Sequence, residues 1–501
     1  MITRQELEPD LGRRLDRRTF LLASLAFAAA PRVAWAAKGD PRLRELAAAV
    51  RGPVLTRSSS GYAAARLVYN ERFDGVHPLA VVQCANAGDV SATLRWAQRH
   101  HVPVAARCGG HSYAGYSTTR GVVLDLGRLK AVSVNRARGR VAVGGGARLI
   151  DVYSALAAHG ATIPAGSCPS VGVAGLTLGG GIGFAARKLG TTADNLESLA
   201  IVTADGRHLT CDARRHADLF WACRGGGGGN FGVVTSFVFR VHPVSSAAYF
   251  VLTWPWDAVE DALAAWQTLL PGAPDELFSI FRVATGGAQP TAQAIGQFFG
   301  TETALRSLLA PLAAVGPAKL QTGTESYLDL VRRWAGCKAL GVDQCRVAPA
   351  GALARDRFLA KSDYVATPLP GAARAAVRAW LERRQSAGEG SLLLDSYGGA
   401  INRVSPHATA FVHRDQLFAC QYHARSAGPA DDAATLAWLR GFHAALRPYT
   451  SGQAYQNYID PDLGAWAQAY YGSNYPRLRH VKARYDPHDL FRFPQSVRPK
   501  R

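Results

Sequence analysis

A histidine placed directly after two glycines, in residues 107–117 "RCGGHSYAGYS", is held where something approaches the backbone closely. Glycine permits backbone angles and contacts that a β-carbon forbids. A second stretch has the same character: residues 164–195, "PAGSCPSVGVAGLTLGGGIGFAARKLGTTADN", carry eight glycines and a thiol, Cys168, near their start. Loops of this kind cradle phosphates with backbone N–H groups. No Gly-Lys-Ser/Thr follows any of them, which excludes a nucleotide-hydrolysing P-loop. "GIGFAA" (181–186) with Asp205 further on has the outline of a dinucleotide fingerprint, yet "GVAGLTLGG" stands where its tight strand belongs. Neither C-x-x-C nor H-E-x-x-H occurs, so no metal site is expected. What remains is a long glycine loop wrapped around a ligand, with an imidazole and a thiol at hand.

The elements that must position these residues read as α/β units first. "PLAVVQCANAGDVSATLRWAQRHHVPVAARCGG" (78–110) gives strand, turn, helix, strand, so the Gly-Gly-His loop follows a strand end, where such units place ligands. Residues 40–56 read as a polar-faced helix. "GVVLDL" and "GRVAVGGGARL" are further strands, and "LIDVYSALAAHG" is a helix stopped by glycine. Glycine density in 164–195 predicts loop rather than helix or strand. "SLAIVTADGRHL" predicts strand, turn, strand, and "DLFWACRGGGGGNFGVVTSFVFRVHP" a helix end, a five-glycine loop and a long strand. From about 245 to 450, strand-like runs ("YFVLTWPW", "LFSIFRVA", "SLLLDSYGGA", "LFACQYHA") alternate with alanine-rich helices, which predicts a second, α+β domain; an aromatic, polar tail follows.

The chain is too long for one core, at 501 residues. Its net charge of +20 comes from scattered arginines without a basic run, so a solvated basic surface and no nucleic-acid partner are expected. At the N-terminus, Arg17-Arg18 precede an apolar run (20–30), Pro31 and Ala34-Trp35-Ala36. That order is a cleavable export signal, and the arginine pair resembles a twin-arginine signal read by its export machinery. The mature chain is expected to start near Ala37. The apolar run is short of the ~20 residues a span needs, and no later segment is longer, so no stable membrane insertion is expected. The eight cysteines all follow this segment; Cys337 and Cys345 close a short loop and could pair, which sequence leaves open. Met1 is the sole methionine, which suits a peroxide-generating enzyme and is equally an accident of composition.

His111 in "RCGGHSYAGYS" and Cys168 in "PAGSCPSVGVAGLTLGGGIGF" resemble the two flavin attachment points of the berberine bridge enzyme-like family, in the vanillyl-alcohol-oxidase group. The resemblance continues through "RKLGTTADNL", "DLFWACRGGGGGNFGVVTSF" and the tail "YQNYID…YYGSN…RL…VK…YDPHDLF", from about residue 70 to 497. It implies an α+β fold. A two-subdomain PCMH-type FAD-binding domain (40–244) follows the signal (1–36). An α+β substrate domain with an antiparallel sheet (245–450) comes next, and a C-terminal segment (451–501) returns to the FAD domain. It also implies FAD held twice, 8α-histidyl at His111 and 6-S-cysteinyl at Cys168. The cofactor-binding set carried over is Arg107, Gly109, Gly110, Ser112, Gly166, Val171, Gly172, Gly175, Gly180, Asp194, Gly232, Val234 and Asn474. Val171, three residues after Cys168, stands at the family's oxygen gate, where a small residue admits O2.

The family removes hydride from a substrate C–H while a base takes a proton. Tyr455 and Tyr458 match its catalytic tyrosine segment. A tyrosine near its usual pKa of ~10 is a poor base and needs a cationic or donor neighbour. Gln421 occupies the flavin-facing position at which some members carry a carboxylate, so the base role is expected on Tyr458 or Tyr455. Tyr113 is expected in the same pocket, with Tyr422 and His423 as further candidates. The implied function is an exported oxidase acting on CH–OH of sugars, oligosaccharides or polycyclic natural products, with O2 going to H2O2. The other readings are a dehydrogenase with another acceptor and a flavin- or sugar-binding protein without turnover. Oligomeric state has no signal in the sequence.

Overall fold

Turn residues bracket short apolar runs along the first part of the chain, and each run becomes a strand. The computed structural model describes residues 40–500, so the export segment and its cleavage site lie outside the described residues. Ala80–Gln83 and Val104–Arg107 flank Val122–Asp125 in parallel, with Val54–Leu55 antiparallel at one edge. Parallel pairing needs a crossover, supplied by the helix Ala87–Arg99, whose Asn86 cap accepts from the Asp89 amide at 3.1 Å. The helix expected over 40–56 is confined to Pro41–Ala49, because Gly52-Pro53 breaks it and the next residues pair as an edge strand. A second sheet of five antiparallel strands has the order Val132–Asn135, Arg140–Gly144, Val233–Arg240, Leu196–Val202, His208–Asp212.

The glycine-rich stretch is less irregular than its composition predicts. Val173–Leu178 and Ala186–Leu189 are short helices. Gly175 inside a helix costs about 1 kcal/mol. Burial of Val173, Ala174 and Leu178 in one core with Cys108 and Ala147 outweighs that penalty.

The third sheet is the antiparallel one expected after residue 245. Its seven strands run in the order Lys319–Ser326, Ser246–Trp254, Thr291–Phe298, Leu277–Ala284, Gly390–Ser396, Phe418–Arg425, Phe358–Val365. Side chains alternate across a sheet. Leu392, Leu394, Cys420 and Tyr422 therefore join a core with Trp266 and Phe442, from the helices Val259–Leu269 and Asp432–Leu446. Leu393, Asp395, Ala419 and Gln421 face the other way, toward the glycine loops.

The tail ties the parts together. Leu478, Val481 and Tyr485 of the helix Tyr475–Tyr485 pack with Trp221 and Phe237. Lys482, fully buried, donates to Asp486 at 2.7 Å and to the carbonyls of Asn230 and Phe491. Further back, Lys361 of the large sheet pairs with Asp460 at 3.0 Å. Cys337 and Cys345 form a disulfide packed on Ile150, which resolves the pairing the sequence left open. No helix among the described residues is long and apolar enough to cross a membrane.

Candidate active site

The strand Val104–Arg107 delivers the Gly-Gly-His loop, and Arg107 fixes its base. The Arg107 guanidinium is buried on Asp125 at 2.7 Å and on the Ala65 carbonyl. Gly110 turns the chain at φ +72°, a conformation that L side chains resist. The amides of Gly110, His111, Ser112 and Tyr113 donate to no acceptor among the described residues. A run of such donors is an anion cradle. The His111 ring stacks on Tyr69 at 4.1 Å, and its Nε2 lies 3.0 Å from Ser170 Oγ. Burial, helped by the charge of Arg148, pushes His111 down to about 3, so the imidazole is neutral and nucleophilic.

The second loop touches the first closely, at backbone as well as through the His111–Ser170 contact. A β-carbon on Gly172 would stand 2.3 Å from both Cys108 Sγ and the Gly109 nitrogen. That contact brings Cys168 beside the histidine loop, close enough for its charge to be felt at Tyr69 and Tyr113. Of the six free cysteines, Cys168 alone is exposed. Neighbouring protein pushes its pKa up by desolvation, an effect the Ser167 hydroxyl partly offsets. Val171 is half-buried against the same core; its amide donates to the Cys168 carbonyl at 3.2 Å.

Across the cleft stands the open face of the seven-stranded sheet. Gln421 donates its side-chain amide to the Tyr113 hydroxyl, and Tyr113 stacks on Tyr458 at 5.4 Å. The Tyr458 hydroxyl donates to Asp395 Oδ2 at 3.2 Å. Burial lifts Asp395 to about 6, with the Tyr458 hydrogen bond opposing the rise. Tyr458 itself is held well above 10, first by burial and then by the Asp395 charge. The cationic neighbour expected for a tyrosine base is thus replaced by a carboxylate. Tyr455 is buried, and its oxygen accepts from the Gly181 amide (3.0 Å) and Asn457 (2.9 Å), so it braces the glycine loop. Tyr422 lies on the far face, in the helix-side core, because it is out of register with Gln421 by one residue. His423 shares the cleft face and stacks on Phe358 at 4.7 Å; burial takes it down to about 4.

Asp395 escaped the sequence reading. Its signal was a lone acid in "SLLLDSYGG", since a carboxylate in a buried strand is costly without a partner. The other expected cofactor residues divide. Gly109, Gly110, Ser112, Gly166, Gly172 and Gly175 belong to the two touching loops, and Gly175 has no atom within 4 Å of its open side. Asp194 pairs with Arg414 at 2.7 Å, and Asn474 donates to the Pro406 carbonyl at 2.7 Å. Gly180 packs on Phe411, Gly232 lies against Val202, and Val234 is a buried strand residue. The Arg107, Asp194 and Asn474 side chains are thus engaged by protein.

Comparison with known proteins identifies the family. Residues 78–212 match the FAD binding domain model and residues 454–498 the berberine and berberine-like model. The chain is 35% identical over 456 residues to the FAD-linked oxidoreductase YgaK of Bacillus subtilis (strain 168), covering 90% of this chain and 97% of that one. It is 32% identical over 457 residues to the chitooligosaccharide oxidase of Gibberella zeae, covering 86% and 89%. The solved structure of Physcomitrella patens BBE-like 1 superposes with a TM-score of 0.86 at 31% identity, over 92% of this chain and all of that one. FAD suits the residues present: a neutral imidazole and a reachable thiol for the ring, unpaired amides for the diphosphate, and an open glycine face beside them. The chain is therefore an FAD-linked oxidoreductase and belongs to the berberine bridge enzyme-like family.

Proposed function

We propose that the protein is an exported oxidase of a carbinol carbon, on a sugar, an oligosaccharide or a polycyclic natural product, with FAD bonded to both His111 and Cys168. The observation that carries this reading is the Tyr458–Asp395 pair on the cleft wall opposite those two nucleophiles. FAD held by these residues would supply the hydride acceptor and, with O2 as the final acceptor, the route to H2O2. The chain supplies the base. Tyr458 accepts the substrate hydroxyl proton while handing its own to Asp395, so the proton comes to rest on a group titrating at about 6 rather than on a phenolate. Gln421 holds Tyr113 against Tyr458, which fixes the relay. Val171, three residues after Cys168, is smaller than a leucine and so favours access of O2. The chitooligosaccharide oxidase relative supports a carbohydrate substrate.

The division proposed for the chain is a signal over 1–36, an FAD domain over 40–244, a substrate domain over 245–450 and a returning tail. Anaerobic addition of sugars, alcohols and phenols, followed by air, tests the function. A substrate should bleach the yellow flavin, and air should restore the colour with peroxide. Bleaching without recovery in air points to a dehydrogenase; no bleaching by any compound overturns the enzyme reading. Export is tested by Arg17→Lys with Arg18→Lys, which should leave folded precursor in the cytoplasm.

A further inference from the structure

The open face of the large sheet carries a charge without a counter-ion. Arg282 stands on Leu277–Ala284, the fourth of seven strands, and is the one exposed residue of that strand. It is in register with Leu393 on one side and Gln293 on the other, and Leu393 is in register with Gln421. Arg282 therefore shares the face of Gln421, two strands away, or roughly 10 Å at the usual strand spacing. Asp395 lies diagonally on the adjoining strand.

Nothing nearby neutralises this guanidinium. Among the described residues Arg282 makes no ion pair or hydrogen bond, whereas Arg425, on the same face, is paired with Asp356 (3.0 Å) and Glu389 (2.9 Å). Its cross-strand neighbours are neutral: Leu393, and Gln293, whose amide donates to Thr253. Asp395 is turned to Tyr458. His423 lies on the same face and feels the Arg282 charge only weakly beside the effect of burial. An exposed, unpaired guanidinium in the middle of a central strand, on the face that carries Gln421 and Asp395, is a ready partner for a carboxylate.

We propose that Arg282 selects an acidic carbohydrate, one whose carboxylate sits about one sugar ring from the reacting carbinol, as in a uronic acid linked to a reducing sugar. This rests on the oxidase reading of the same cleft. Arg282 and Asp395 are diagonal neighbours on adjoining strands, about 7–8 Å apart at the backbone, a span that suits a carboxylate about one ring removed from the reacting carbon. Gln293 and Thr253, next along the row, would meet the hydroxyls of a longer chain.

The test compares cellobiouronic acid, in which the outer glucose of cellobiose is a glucuronic acid, with cellobiose. Anaerobic flavin reduction is followed in the parent, Arg282→Gln and Arg282→Lys. The expected kcat/KM ratio of acid to neutral sugar in the parent is about ten or more, the range for hydrogen bonds to charged groups. It should arise through KM and shrink at high salt. Arg282→Gln should bring it close to one, and Arg282→Lys should restore part of it. Equal constants for the two sugars, or an advantage that survives in Arg282→Gln, overturn the proposal. If neither disaccharide bleaches the flavin but another alcohol does, the acidic-sugar assignment falls and the oxidase stands. If no compound bleaches it, both fall.

Discussion

The two walls of the cleft are built in opposite ways. The wall with His111 and Cys168 is made of two glycine loops in backbone contact, held largely by main-chain hydrogen bonds to the segments around Tyr69 and Leu149. The wall with Asp395, Gln421 and Arg282 is made of side chains on three strands, brought to one face by cross-strand register. One wall presents fixed donors and nucleophiles and suits a single cofactor. The other presents exchangeable side chains on a rigid sheet, where a substitution changes the substrate or the base and leaves the cofactor in place.

The largest expected effect breaks the first wall. His111→Ala with Cys168→Ala should leave no flavin in acid-precipitated protein, whereas each single variant should keep the pellet yellow through the remaining bond. Mass spectrometry of the two peptides reads the outcome directly, and colour confined to the supernatant of the parent would refute the double attachment.

The second wall should fail differently, with flavin retained and chemistry lost. Asp395→Asn is expected to slow flavin reduction by about 10²–10⁴-fold, the range for loss of a general base. Asp395 must be ionised to accept the proton. The parent rate should therefore climb with pH up to about 6 and level off above it, and the variant should lack that inflection. Tyr458→Phe should fall in the lower part of the same range. A stopped-flow pH series on the three proteins decides between this pair and a base elsewhere.

A smaller change sharpens the contrast at the point where the walls meet. Val171→Leu adds one methylene beside Cys168 and should slow reoxidation in air far more than it slows reduction by substrate. If both half-reactions keep their parent rates, Val171 is packing alone.

The smallest effect is expected at Tyr455. Its hydroxyl accepts two hydrogen bonds in a buried site, so Tyr455→Phe should cost about 1–3 kcal/mol of stability. Flavin reduction should change much less than in Tyr458→Phe. A loss of rate equal to that of Tyr458→Phe would return the base role to Tyr455.

By itself, the sequence determined the strand-loop origin of the histidine site, the α+β make-up of the second half and the family, because each is a local pattern: a few glycines after a strand, apolar runs between alanine-rich helices, a motif at fixed spacing. It misread 164–195, where burial of Val173, Ala174 and Leu178 overrode the weak helix propensity of glycine. It left the disulfide open and passed over Asp395 and Arg282. Tertiary structure decided those. Tyr458 and Asp395 are 63 residues apart, and only the tail's return against the sheet joins them. Whether Gln421 or Tyr422 faces the cleft turns on register, since a shift of one residue sends a side chain to the opposite face of a sheet. The same parity, set by strands far apart in sequence, places Arg282 in the open and leaves its charge unpaired.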